Sequence, residues 1–218
     1  SPSLSASNAV GADNDGDIDM LIGVNVINPK GDTGLIFYFK NVGNSVNPFY
    51  EEQKGTKNPF HNILLDPLPA PASVDIDRDG DFDVFVGKKD GKIAYFENTG
   101  SPTSPVFTKR TGAANPFDGI DVGDNASPFA ADMDQDEDFD FFIGNAAGQI
   151  KFFKNTGTKF VPTFILMTGT ANPFPAKPLN TDAAPFCIDA DIDGDIDMFV
   201  GNGQGEIWYF ENIGFEIK

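Results

Sequence analysis

The sequence predicts an all-β protein: a β-propeller, four blades of four antiparallel strands, with the last blade incomplete. Three observations carry that expectation. An acidic segment running into an apolar strand closed by glycine occurs four times, as GADNDGDIDMLIG (11–23), DIDRDGDFDVFVG (75–87), DMDQDEDFDFFIG (132–144) and DADIDGDIDMFVG (189–201). An aromatic strand follows each one: LIFYFKNVG ending at Gly43, KIAYFENTG at Gly100, QIKFFKNTG at Gly157 and EIWYFENIG at Gly214. The closing glycines of the acidic segments, Gly23, Gly87, Gly144 and Gly201, lie 64, 57 and 57 residues apart, so the chain is a tandem array of one unit.

Each element of the unit has its own signal. Short turns such as Lys89-Asp90-Gly91 and Ala147-Gly148 join the two blocks into a hairpin. In the second unit the strands are expected near Ala72–Val74, Val84–Val86, Ile93–Phe96 and Val106–Thr108. Val84, Phe85 and Val86 are apolar on both faces, as suits a sheet sandwiched between neighbours. A solenoid is the competing architecture, but its repeats are usually shorter. The longer first unit carries an insertion around Val26 to Thr33. A third block, GTKNPF, GAANPF and GTANPF, places Asn58, Asn115 and Asn172 at constant spacing; asparagine and proline set a turn there and the phenylalanine plugs between blades. The chain reads as a single domain of units at about 1–66, 67–123, 124–180 and 181–218. The last unit lacks the outer strand, which leaves three options: a short blade, completion by the N-terminal residues, or completion by a neighbouring molecule.

Composition narrows the function. Against 15 basic side chains stand 33 acidic ones, a formal charge of −18, which repels a polyphosphate and argues against nucleic acid as a partner. No apolar run is long enough to span a bilayer, and the N-terminal residues lack the basic and apolar regions of a signal peptide, so a soluble chain in mature form is expected. The single cysteine, Cys187, lies in an apolar run and reads as a buried thiol. No nucleophile and base are paired, and no glycine loop cradles a phosphate, so no enzymatic activity is expected. His61 reads as a surface residue, and Trp208 as a half-exposed aromatic that packs or stacks on a sugar. Asn125-Ala126-Ser127 is a glycosylation sequon weakened by Pro128.

The crowded aspartates carry the chemistry. Carboxylates at alternate residues of a turn converge on one centre, and calcium takes six to eight oxygen ligands, whereas magnesium keeps its waters. In the second unit Asp75, Asp77, Asp79 and Asp83 offer side chains and Asp81 its carbonyl; in the fourth, Asp189, Asp191, Asp193 and Asp197 do so with Asp195 at the carbonyl place. The glycine at the sixth place, Gly80 or Gly194, permits the bend with positive φ. In the first unit Gly11 replaces the leading aspartate, leaving Asp13, Asp15 and Asp19 with Asp17 at the carbonyl place, a weaker site. The third keeps Asp132, Asp134, Asp136 and Asp140, with Asp138 at the carbonyl place, but has Glu137 at the bend. An EF-hand fails, because its twelfth position needs a glutamate and here falls on Val86 or Val200 inside a strand.

These loops, the apolar-Gly that follows and the aromatic strand ending in Asn-Thr-Gly together resemble FG-GAP or VCBS-type repeats over essentially the whole chain. The resemblance implies a calcium-binding propeller like those of integrins and secreted bacterial proteins. It implies up to four mainly structural ions, a secreted or cell-surface location and a role in adhesion or recognition of a glycan or protein. The alternative is a structural protomer of an extracellular fibre or surface layer, self-assembling through strand pairing at the incomplete blade.

Overall fold

The computed structural model describes residues 4–6, 15–27, 29–174 and 179–213. Its regular elements are strands and short 3-10 turns arranged as four antiparallel sheets. Sheet 1 holds β1 (Leu4–Ala6), β2 (Met20–Val26), β3 (Thr33–Asn41) and β4 (Tyr50–Gln53). Sheet 2 holds β5 (Ala70–Val74), β6 (Asp83–Gly87), β7 (Ile93–Asn98) and β8 (Phe107–Arg110). Sheet 3 repeats this with β9 (Ser127–Ala131), β10 (Asp140–Gly144), β11 (Ile150–Asn155) and β12 (Phe164–Met167). Sheet 4 has three strands, β13 (Ala184–Ile188), β14 (Asp197–Gly201) and β15 (Ile207–Phe210). Strands pair in chain order within every sheet.

The register explains why these strands are apolar on both faces. Val84 lies opposite Phe96, Phe85 opposite Tyr95 and Val86 opposite Ala94. Because side chains alternate across the sheet, Val84, Val86, Ala94 and Phe96 meet Leu21, Ile36 and Tyr38 of sheet 1, while Phe85, Ile93 and Tyr95 meet Phe141, Ile143 and Phe153 of sheet 3. Sheets 3 and 4 close on each other in the same way through Phe142, Phe152, Met198 and Val200.

The Asn-Pro-Phe block fills each seam. A 3-10 turn at Gly55–Lys57, Gly112–Ala114 or Gly169–Ala171 leads into it. The Asn58, Asn115 and Asn172 amides donate to the carbonyls of Ile36, Ile93 and Ile150, and their side-chain oxygens accept the N–H groups of Phe60, Phe117 and Phe174. Phe60 then stacks on Phe107 at 4.5 Å and Phe117 on Phe164 at 4.9 Å between ring centres. The plugging role expected of these phenylalanines holds.

The sheets stack in chain order, through β2 on β5, β5 on β9 and β9 on β13. No extensive contact among the described residues returns from sheet 4 to sheet 1, so ring closure is not seen. Of the three options for the last unit, completion by the N-terminal residues is excluded for β1, which pairs with β2 in sheet 1. The outer face of sheet 4 is accordingly open. Ile207 is 77% exposed, whereas its equivalent Ile93 is 3% exposed. The strand-closing glycines record the same difference: a Cβ on Gly144 would lie 1.9 Å from the Ala183 carbonyl oxygen and one on Gly87 2.1 Å from that of Ala126, but one on Gly201 meets nothing within 4 Å.

Candidate metal centre

Each acidic loop joins the first and second strands of its sheet, and its aspartates organise its own backbone. Asp75 accepts the N–H groups of Asp79 at 3.1 Å and Gly80 at 3.3 Å, and Asp79 accepts that of Asp81 at 3.0 Å. Asp132 holds Asp136 and Glu137 in the same way, and Asp189 holds Gly194. The bend residue has positive φ in every copy, 95° at Gly80, 98° at Gly194 and 69° at Glu137, so the third loop keeps the bend despite its side chain. The fourth residue of the loop is also left-handed, at Arg78, Gln135 and Ile192, which the sequence did not announce.

The alternating aspartates converge as expected at three loops. One carboxylate oxygen from each of Asp75, Asp77 and Asp79 falls within 4.8 Å of the others, as do those of Asp132, Asp134 and Asp136, and of Asp189, Asp191 and Asp193. Asp13 lies outside the described residues, and Asp15 and Asp17 of the first loop are joined by an Asp17 N–H to Asp15 bond of 3.1 Å.

The ninth-place aspartates do a second job. Asp19, Asp83, Asp140 and Asp197 are all buried, and each accepts a backbone N–H from the third strand or just beyond it, from Asn41, Asn98, Asn155 and Asn212 at 2.7–2.8 Å. Tyr38, Tyr95 and Tyr209 donate their hydroxyls to Asp19, Asp83 and Asp197. Phe152 stands in the tyrosine's place in the third unit, and there the Asp140 Oδ2 is buried without a partner. The seventh-place residues, expected to offer only carbonyls, have side chains turned inward as well: Oδ1 of Asp81, Asp138 and Asp195 is buried and unpartnered.

These orphaned oxygens decide whether a cation suits the loops. Burial and neighbouring carboxylates push Asp81 and Asp138 up to about 6, and burial pushes Asp83 and Asp140 up to about 7. Asp75, Asp77 and Asp132 are raised for the same reasons. Asp197 moves the other way, lowered chiefly by the Asn212 N–H. A buried acceptor without a donor costs about 1–3 kcal/mol, and a hard divalent cation removes that cost. The donors are oxygen throughout, which fits calcium. Asp75, Asp77, Asp79 and Asp83 would hold an ion in the second unit, with Asp81 adding an oxygen, and their counterparts would do so in the third and fourth.

Several residues that shape the site had no signal in the carboxylate spacing. Lys154 ion-pairs with Asp134 and reaches Asp136 at 3.8 Å, and Lys40 pairs with Asp15 at 3.1 Å. Elsewhere, Cys187 is buried and its thiol is pushed up by burial, while His61 is exposed with Nδ1 against the Asn58 carbonyl. The sequon residue Asn125 uses its side-chain amide on Asp182. No helix among the described residues is long and apolar enough to cross a membrane.

A search of curated proteins finds no match. Residues 75–143, from the second acidic loop to the end of the third unit's inner hairpin strand, match the family described as FG-GAP-like repeat. The matched span holds two successive acidic loops and the seam between sheets 2 and 3, so the chain is similar to FG-GAP-like repeats there.

Proposed function

We propose that the chain is an extracellular, calcium-binding module of propeller type whose sheets present a surface for adhesion or recognition of a protein or glycan, without catalytic chemistry. The observation that carries the calcium part is the set of three convergent carboxylate groups backed by buried, unpartnered oxygens of Asp81, Asp138, Asp140 and Asp195. The ions are structural: each cancels charge that otherwise forces the loop apart, and its binding energy becomes folding energy. Four would take the formal charge from −18 to −10. The recognition part is supported by a cleft of 520 Å³ over the seam of sheets 2 and 3, lined by Tyr95, Pro116, Phe160 and Val161, of which Phe160 and Val161 are exposed. Isothermal titration with calcium tests the first part. A glycan array and a pull-down from extracellular material, both in calcium, test the second; failure of both at high protein concentration rejects it.

A second reading, assembly into a fibre or surface layer, is favoured by one observation: the open apolar face of sheet 4, with Phe186, Ile188, Ile207 and Tyr209 exposed. Light scattering in calcium decides it, and a strictly monomeric solution removes it.

A further inference from the structure

We infer that the acidic loops fall into two classes, set by the residue at the end of the third strand: Lys40 and Lys154 are built-in counter-ions for their loops, whereas Glu97 and Glu211 leave theirs dependent on a divalent cation. The inference rests on the calcium reading and adds a residue that ranks the sites.

The position is fixed by the fold. Lys40, Glu97, Lys154 and Glu211 each immediately precede the asparagine whose N–H holds the ninth-place aspartate, so each stands beside the loop of its own unit. The charge alternates along the chain. Lys154 places its ammonium on Asp134 and within 3.8 Å of Asp136, two of the three carboxylates that converge in the third loop, and Lys40 pairs with Asp15 of the first loop at 3.1 Å. In the second unit the sign is reversed: the acidic Glu97 is fixed by two N–H groups of Arg110, at 2.7 and 2.8 Å, and supplies no ammonium to its loop.

An ammonium neutralises one charge and donates three hydrogen bonds, but it cannot meet all the acceptors of a cage built for six to eight contacts. In the third loop Asp138 and Asp140, 9% and 1% exposed, still carry oxygens without partners while Lys154 is in place. Lys154 therefore competes with calcium at this loop. Glu137 is not what sets this loop apart, because it still makes the bend, at φ 69°, and its own carboxylate is paired with Lys159.

Calcium titration of the full chain and of two variants, with circular dichroism to check folding, tests this. Lys154→Glu should tighten one site about tenfold or more, and Lys154→Gln should tighten it less. In EDTA Lys154→Glu should melt below the wild type, and in calcium at or above it; a residue with a merely structural role lowers both. Unchanged calcium affinity in both folded variants, beside a wild type that binds, overturns the inference alone. A wild type that takes up no calcium overturns the calcium reading with it.

Discussion

The Nη2 of Arg78, in the second acidic loop, donates to the backbone carbonyl of Glu137 in the third at 3.1 Å, and its guanidinium lies 4.4 Å from the centre of the Phe139 ring. Gln135 repeats the reach one unit later, donating to the carbonyl of Gly194 at 2.9 Å. Neighbouring loops are thus tied, the fourth residue of one to the bend residue of the next. Arg78→Ala is expected to lower stability by about 0.5–1.5 kcal/mol, as the hydrogen bond is exposed and the Phe139 ring only partly buried. It should also weaken calcium at the third loop as well as the second, which residue-resolved titration by NMR reads directly. A change confined to the second loop refutes the tie.

Removing calcium should lower the melting temperature sharply, because buried carboxylates that share a loop are then left facing one another. A melting curve unmoved by EDTA, together with no calcium by elemental analysis, rejects the metal centre.

Without metal, pH should act in an unusual direction. Asp81 and Asp138 near 6, and Asp83 and Asp140 near 7, sit above the ordinary 3.8, so the folded chain holds more protons than the unfolded chain between about pH 4 and 7. Stability in EDTA falls as pH rises through that window, with Asp197 opposing in part because its folded value is lowered. Calcium, which needs the carboxylates ionised, reverses the slope. Thermal melts at about pH 5 and pH 7.5, with and without the ion, check both signs.

At the seams, Gly144→Ala drives a methyl group against the Ala183 carbonyl and should cost about 1–3 kcal/mol or more, while Gly201→Ala, with open space around it, should be close to neutral. Denaturant titration of the two variants separates them; equal costs would falsify the open face of sheet 4.

Phe117→Ala should cost about 3–5 kcal/mol, since Phe117 is 1% exposed and meets the rings of Phe85, Phe141, Phe153 and Phe164. Chemical denaturation measures it, and a loss below about 1 kcal/mol would show that the ring is not a plug.

Much of this was legible because the unit is written four times. Parity in the acidic run placed Asp75, Asp77 and Asp79 on one centre, and the two-faced apolar strands announced sheets stacked on both sides. What stayed hidden depends on neighbours distant in sequence. Nothing local in QIKFFKNTG says that Lys154 reaches back 20 residues to Asp134, or that Tyr95 rather than a metal alone satisfies Asp83. Likewise the stacking of the sheets in chain order, with no extensive contact from the fourth back to the first among the described residues, is a relation between whole sheets that no residue spacing encodes.

The one-sided burial of sheet 4 has a dynamic consequence. In a tandem array each unit is stabilised by its own strands and by the seams on either side; sheets 2 and 3 have two described seams, whereas sheets 1 and 4 have one each, and sheet 4 also leaves Ile207 and Tyr209 exposed. Amide hydrogen exchange should therefore be graded along the chain, slowest in β6, β7, β10 and β11 and fastest in β15, whose residues open to solvent without unfolding the rest. The protein then loosens from its exposed end inward, and an ion held by Asp189, Asp191 and Asp193 would be the first released.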